Sequence, residues 1–408
     1  MLFAVTGSPI SRSKSPDIWN NAFRALNIDA VYFRIASNDI AEAVKMSEEI
    51  GVKGLNITAP YKEEALKFAN DVDDDVKKIG AANCFILNNA RVRALNTDWQ
   101  AVHKILSKRE YSQLEGKKAL VIGAGGAARS AIYALKKCGA DVFISNRTEG
   151  KAKRVSSLFN ITHMPLNQSL DQKYAVAVSC IPYSKDFSKD LKAELFIDAS
   201  YRGVSSDDSY VSGEEWLVFQ AEIFFKMFFD LEPLPYMLEG INKIRTQKKH
   251  IALTGFMGAG KSFIAKKLAE QIKYDLLDLD ELIEQKEGMT VAQIFSDKGG
   301  AYFREIEKDI LNKLELKSPT VLATGGGTVI DEQNRVFLTK NFNIVWLWDS
   351  LSKIYARVDK STRPLFRDNA AELLKSRIPL YAESCSICVK NDEHNLNRVI
   401  NLIKNCSM

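Results

Sequence analysis

The 408-residue chain has little of what would mark a secreted, metal-built or membrane-bound protein. Its six cysteines, Cys84, Cys138, Cys180, Cys385, Cys388 and Cys406, are scattered. Only Cys385 and Cys388 form a CxxC, and no second pair follows at metal-site spacing. "ESCSICVK" alternates like a strand, so this pair reads as two reduced thiols in or near a strand. The four histidines, His103, His163, His250 and His394, form no ligand cluster. These absences argue against a disulfide framework and a zinc site, and a reducing cytoplasm fits. Charge of one sign is also scarce: a net +5 over this length does not suggest a nucleic-acid binder, whose mark is a clustered basic face. The most apolar run, "LVFQAEIFFKMFF", is interrupted by Glu222 and Lys226 and is too short to span a bilayer. It reads as an amphipathic helix. The N-terminal "MLFAVTGSPI" carries no basic leader and reads as a first strand. The expectation is a cytoplasmic protein with small-molecule partners, no nucleic acid and no membrane. Its oligomeric state is not legible.

What is present is an ordinary globular balance, 46% hydrophobic and 26% charged, at a length that suggests two or three domains. Short apolar runs ("LFAVTG", "AVYFRI", "GLNIT", "NCFIL") alternate with helical stretches ("SPDIWNNAFRAL", "NDIAEAVKMSEEI"), which predicts an α/β layer structure. "KKALVIGAGGAARSAIYALKKCGADVFISNRT" is a strand, glycine turn, helix and strand, with "AVAVSCI" and "LFIDAS" as further strands. "GEEWLVFQAEIFFKMFFDL" predicts a long helix ending at "EPLPY". The basic run "NKIRTQKKH" marks a linker before a last α/β domain.

That last domain opens on "IALTGFMGAGKS", which fits G-x-x-x-x-G-K-[ST] between a strand and a helix. Gly255, Gly258, Ala259 and Gly260 would let backbone N–H groups curl around phosphate oxygens at the positive end of the following helix. Lys261 would reach the β and γ phosphates, and Ser262 would ligate Mg²⁺. In "LLDLDELIE", Asp278 and Asp280 lie two apart at a strand end. One carboxylate would sit near Mg²⁺ while the other takes a proton from a substrate hydroxyl. "AYFREIE" supplies Arg304 and Glu307. "ATGGGTVI" supplies Gly325, Gly326 and Gly327, where backbone can approach a small ligand. Arg363 and Arg377 add positive groups for a carboxylate and for moving phosphoryl charge.

In this order the motifs "GFMGAGKS", "LDLDELIE", "FREIE", "GGG", "RPLF" and "RIPLY" resemble shikimate kinase across residues 250–408. The resemblance implies a nucleoside-monophosphate-kinase-like P-loop domain that transfers the ATP γ-phosphoryl to the 3-hydroxyl of shikimate. It implies Asp280 as base, Arg304 and Arg377 as clamp on the substrate carboxylate, and Gly325 to Gly327 as site lining. Asp278 would stand near Mg²⁺, Arg357 would stack on adenine, and Arg363 would come from a lid at about 353–366.

In the first half, "GAGGAA" (Gly123, Gly125, Gly126, Ala127) fits a dinucleotide turn, alone a weak signal. The following strand ends in "ISNRT". With Asn146, Arg147 and Thr148 in place of an acid, and Arg129 just inside the helix, a 2′-phosphate is favoured, so NADP(H) rather than NAD. Polar motifs at strand ends present Ser13 and Ser15, Thr58 and Lys62, Asn83, and Asp98. They suit a small polyhydroxylated acid, with a Lys–Asp pair for carbonyl reduction.

This set resembles shikimate dehydrogenase over about residues 1–235. The resemblance implies a two-lobed unit: a substrate lobe (1–100 with 221–241) and a Rossmann NADP lobe (101–220). A linker at 242–249 and the kinase domain at 250–408 follow. Lys62 and Asp98 would be the catalytic pair, with Lys62 moving the proton at the C3 oxygen while NADPH gives hydride. Ser13, Ser15, Thr58, Asn83 and Gln220 would hold the acid. Trp19, Cys84, Ala94, Trp99 and Ala101 depart from the family's usual residues. Two consecutive steps on one compound are thus expected, reduction of 3-dehydroshikimate and phosphorylation of shikimate, in the route to aromatic amino acids. The alternative is a kinase carrying a non-catalytic or quinate-preferring front half.

Overall fold

A computed structural model describes residues 1–88, 91–181, 191–200, 208–242, 248–357 and 369–407. The chain forms two compact units. One comprises Met1–Ser13, Ala30–Val52 and Ile244–Met408, the other Lys14–Asp29 and Lys53–Lys243. The strands in chain order are β1 (Leu2–Gly7), β2 (Val31–Ala36), β3 (Gly54–Ile57), β4 (Asp71–Val72), β5 (Cys84–Asn88), β6 (Arg91–Leu95), β7 (Lys118–Ile122), β8 (Asp141–Ser145) and β9 (Thr162–His163). They continue as β10 (Lys173–Ser179), β11 (Lys192–Asp198), β12 (Tyr210–Val211), β13 (His250–Thr254), β14 (Asp275–Asp278), β15 (Thr320–Ala323), β16 (Phe342–Trp348) and β17 (Ile387–Lys390).

In the first unit the strands run β14-β15-β13-β16-β17-β2-β1, every neighbouring pair parallel. Parallel strands covered on both faces need continuous apolar runs. "LFAVTG" and "NIVWLW" supply them, with all six residues of β1 buried. The glycine loop follows β13, where the strand order turns back and a crevice opens beyond the strand ends. β2 extends the sheet from β17, with Cys388 opposite Ile35 and Val389 opposite Ala36. Phe33 packs at 5.7 Å from Trp346, Trp348 donates to Glu49 (3.0 Å) and Arg398 to Glu42 (2.7 Å). Arg34 donates to the Ser13 carbonyl (2.7 Å) and the Ser386 carbonyl (3.2 Å). The segment drawn from sequence as a self-contained domain at 250–408 therefore shares its sheet with β2 and β1. Expressed alone it would expose the β17 edge and one face of Trp346, an invitation to pairing between chains. We expect that fragment to unfold at a lower temperature than its counterpart in the full chain and to associate, as read by thermal melting and size exclusion. Of the expected linker at 242–249, residues 243–247 lie outside the described residues.

In the second unit a six-stranded parallel sheet runs β12-β11-β10-β7-β8-β9, the doubly wound order with β7 at the centre. A smaller group runs β3-β5-β6-β4, with β3/β5 and β5/β6 antiparallel. That antiparallel pairing departs from the uniform β-α rhythm read in the sequence. Two capped helices matter for the site. Asn96 caps Thr97–Lys108 by accepting from the Trp99 N–H (3.1 Å), and Ser212 caps Gly213–Lys226 by accepting from the Glu215 N–H. The second helix stops at Lys226, short of the expected Leu231. It is also buried on most of its surface rather than along one stripe. Its Glu222 is tied to Lys104 (2.5 Å) and Lys226 (3.1 Å). Trp19, which departs from the family pattern, packs against Phe23, Phe224 and Phe225 at 5.4–5.9 Å.

Candidate active sites

In the second unit the Lys62 ammonium meets the Asp98 carboxylate at 2.6 Å, both side chains mostly buried. Asp98 sits in the first turn of Thr97–Lys108, where the Asn96 cap fixes the chain's entry. Its other oxygen accepts the Trp216 indole N–H at 3.2 Å. Gly126, the first residue of the helix Gly126–Lys137, lies against Lys62: a Cβ there would stand 2.7 Å from the lysine Cβ. Only glycine lets the dinucleotide turn and the lysine come this close. The lysine–aspartate pair and the glycine turn are thereby one site.

Beside it is a buried amide and hydroxyl cluster. The Gln220 side-chain oxygen lies 3.3 Å from Asn83 Nδ2, 3.2 Å from Thr97 Oγ1 and 3.4 Å from Asn56 Nδ2. Asn83 also accepts from the Thr97 N–H (2.7 Å). Asn83 and Gln220 were expected here; Asn56 and Thr97 were missed. They stand inside the same quoted motifs, "LNITAPYK" and "LNTDW", so strand-end placement was signal enough to include them. Cys84 joins this cluster, accepting from Asn56 at 3.1 Å, and burial pushes its thiol up. Thr58 follows β3, Ser15 opens the helix Ser15–Ala25 and is buried, and Ser13 lies in the first unit with its carbonyl held by Arg34. Trp99 packs edge-on to Tyr133 at 5.3 Å, filling space beside the pair rather than entering the cluster.

A cavity of about 770 Å³ opens at the glycine turn. Gly123, Gly125, Arg129, Asn146, Arg147 and Thr148 line it, all anticipated, while Ala127 lies in the first turn of the adjoining helix. Lys151 and Arg154 line it too, in the first and second turns of the helix Glu149–Phe159, and were missed. Nothing stands within 4 Å of a Cβ on Gly125, so the turn is open to a pyrophosphate. The three cations Arg147, Lys151 and Arg154 suit a 2′-phosphate. Arg129 is already committed: it pairs with Glu63 at 2.5 Å and donates to the Gly80 carbonyl. These bonds brace the turn while Arg129 keeps its place in the cavity lining.

In the first unit, Gly255, Gly258, Ala259 and Gly260 form the loop from β13 into the helix Lys261–Ile272. Lys261 is buried and donates back to the carbonyls of Gly255 (3.0 Å) and Phe256 (3.1 Å). Asn391 props the loop through the Ala259 carbonyl at 2.9 Å. Arg357 ends the helix Leu351–Arg357, pairs with Asp349, and comes within 4.0 Å of where a Gly260 Cβ would be. Arg363 and most of the expected lid lie outside the described residues.

A second cavity of about 490 Å³ gathers Ser262, Asp278, Asp280, Arg304, Gly325, Gly326, Gly327 and Arg377. Asp278 caps Leu279–Glu287 by accepting from the Asp280 N–H (3.0 Å), which aims the next carboxylate at the pocket. Arg304 is held by Glu307 at 2.5 Å. Glu307, wholly buried, also accepts from Thr328 at 2.6 Å. The Arg304 guanidinium occupies the space a Gly327 Cβ would take, so the triple glycine makes room for the arginine as well as for a ligand. Arg377 donates to the Gly326 carbonyl (3.0 Å), and Tyr381 does so as well. Arg377 is almost fully buried, its Nε is without a partner, and desolvation lowers its pKa. A buried cation in this state calls for an anion. The Cys385–Cys388 pair takes no part: Cys385 ends a helix and Cys388 lies on β17. Burial pushes the Cys385 thiol up to about 12 and raises Cys388 as well. Among the described residues no cluster of three or more metal-ligating side chains occurs, and no helix is long and apolar enough to cross a membrane.

The fold and the two sites define a chain with an oxidoreductase-type dinucleotide site and a phosphotransferase-type P-loop site. Comparisons with known proteins sharpen this. The family profile for the shikimate dehydrogenase substrate binding domain matches residues 5–85, that for shikimate / quinate 5-dehydrogenase residues 105–182, and that for shikimate kinase residues 257–406. The NADP(+) shikimate dehydrogenase of Syntrophobacter fumaroxidans is 37% identical over 44% of this chain. That match spans 63% of the relative's own length, just under two thirds. The Methanosarcina barkeri enzyme of the same name is 32% identical over 57% of this chain and 94% of its own. A Haemophilus influenzae shikimate kinase is 36% identical over 39% of this chain and 94% of its own. Shikimate 5-dehydrogenase from Thermus thermophilus, solved with shikimate, matches with a TM-score of 0.53 at 26% identity, over 59% of this chain and 97% of that one. The chain belongs to the shikimate dehydrogenase family in its first part and to the shikimate kinase family in its last.

Proposed function

We propose that the protein catalyses two consecutive reactions, NADPH-dependent reduction of 3-dehydroshikimate to shikimate and ATP-dependent phosphorylation of shikimate to shikimate 3-phosphate. The observation that carries the reading is the pairing of two separate sites. One holds Lys62 and Asp98 against a dinucleotide turn, the other holds Asp280, Arg304 and Arg377 in one pocket. When bound, NADPH supplies the hydride to the carbonyl carbon. Lys62 gives its proton to the carbonyl oxygen, and Asp98 holds the ammonium in place at 2.6 Å. Asn56, Asn83, Thr97 and Gln220, with Ser15 and Thr58, hold the carboxylate and hydroxyls. In the kinase site Asp280 accepts the proton of the attacking hydroxyl, and Arg304 and Arg377 hold the substrate carboxylate. Lys261 steadies the phosphates, and Arg357 flanks the adenine. Ser262 and Asp278 suit Mg²⁺, since both residues line the substrate cavity. Held by these two residues, Mg²⁺ would supply positive charge against the charge developing on the phosphates.

The test is a pair of assays on one preparation: NADP⁺ reduction with shikimate, with quinate as the rival substrate, and ATP consumption with and without shikimate. Shikimate should support both, and absence of either activity overturns the corresponding half. For the cofactor, Arg147→Ala should raise the KM for NADP⁺ about tenfold, the loss of one charge-assisted contact, while leaving that for NAD⁺ within about twofold. Equal effects on both would argue against a 2′-phosphate contact.

A further inference from the structure

We infer that Trp216 is a positioning residue for the dehydrogenase reaction, holding the Asp98 carboxylate so that one oxygen is presented to Lys62. The inference rests on the reading of Lys62 and Asp98 as the reacting pair. An indole offers one donor and no acceptor, so a buried tryptophan must give its N–H to something or leave it unpaired. Trp216 is 4% exposed, and its N–H goes to Asp98 Oδ1 at 3.2 Å while Oδ2 takes the Lys62 ammonium at 2.6 Å. The carboxylate is thus fixed at both oxygens by donors from different segments and cannot rotate away from the lysine without breaking one of them.

The position of Trp216 on its helix strengthens the case. Gln220 follows one turn later, on the same face. Trp216 contacts Asp98, and Gln220 contacts Asn83, Thr97 and Asn56. A single helix face therefore registers both the reacting pair and the polar cluster beside it. Thr97 and Asp98 are neighbours on the facing helix, which packs against this one. A tryptophan in "GEEWLVFQ" reads from sequence as packing; its polar edge gives it this second task.

The decisive variant replaces Trp216 by 3-benzothienylalanine, in which sulfur takes the place of the N–H at nearly the same shape; Trp216→Phe and Lys62→Ala are measured beside it. For the isostere we expect kcat for shikimate oxidation to fall about tenfold, as for a lost hydrogen bond to a charged group, with the KM values for shikimate and NADP⁺ within about twofold. Trp216→Phe should fall at least as far, and shikimate-dependent ATP consumption by both should match the parent chain. If the isostere turns over like the parent, the indole serves packing alone and the inference is overturned, whatever Trp216→Phe does. The same holds if the loss appears in KM instead of kcat. If Lys62→Ala itself retains turnover, the underlying reading of the pair fails, a result distinct from a silent isostere.

Discussion

Lys62→Ala is expected to lower kcat for NADP⁺-linked shikimate oxidation by about 10³-fold, the scale of a lost general acid–base group, while ATP consumption in the presence of shikimate stays unchanged. The size follows from what the lysine does. It is the cation at 2.6 Å from Asp98, mostly buried, and it stands against the glycine turn proposed to receive the dinucleotide. Truncation removes the proton source at the carbonyl oxygen and also leaves Asp98 as a buried carboxylate with the indole N–H as its remaining side-chain donor. Shikimate binding should survive, because Asn56, Asn83, Thr97 and Gln220 bond to one another and not to the lysine. Equilibrium binding of shikimate to the variant checks this. A variant that binds but does not turn over supports an active dehydrogenase. A parent chain without dehydrogenase activity would leave the front half as a binding module only.

Asp280→Asn is expected to lower the shikimate-dependent ATPase rate by about 10³-fold with dehydrogenase turnover unchanged, again the scale of a lost proton acceptor. The substitution keeps the shape and the backbone N–H that Asp278 accepts, so the helix start should hold. It removes the only function that an amide cannot replace, taking the hydroxyl proton. The KM for shikimate should change little, since Arg304, braced by Glu307, and Arg377, bonded to Gly326, are left as they are. A large rise in KM with kcat intact would mean that Asp280 binds but does not act as base.

Much of this was legible in the sequence where function demands a short local pattern. The P-loop, the glycine turn and the strands around them need particular residues at fixed spacing, and both glycine loops stand between a strand and a helix as that spacing predicts. Lys62 and Asp98 were legible as a pair from their strand-end motifs, and the fold brings them together across 36 residues. Three things were not legible, each for a physical reason. The β2–β17 pairing joins segments that lie at opposite ends of the chain, and parallel ladders leave no local mark beyond two apolar runs. Trp216 and Glu307 act from positions that suit packing and a surface ion pair respectively; only burial and a named partner reveal the rest. The Arg129–Glu63 contact was not legible because the two residues lie 66 positions apart.

The most direct measurement supplies 3-dehydroshikimate as the only acceptor, with ATP and Mg²⁺, and follows ADP before and after NADPH is added. Two competent sites on one chain predict no ADP without NADPH, then ADP appearing with NADPH oxidation and limited by it. Oxidation of NADPH with no ADP, or ADP released without NADPH, would contradict the account.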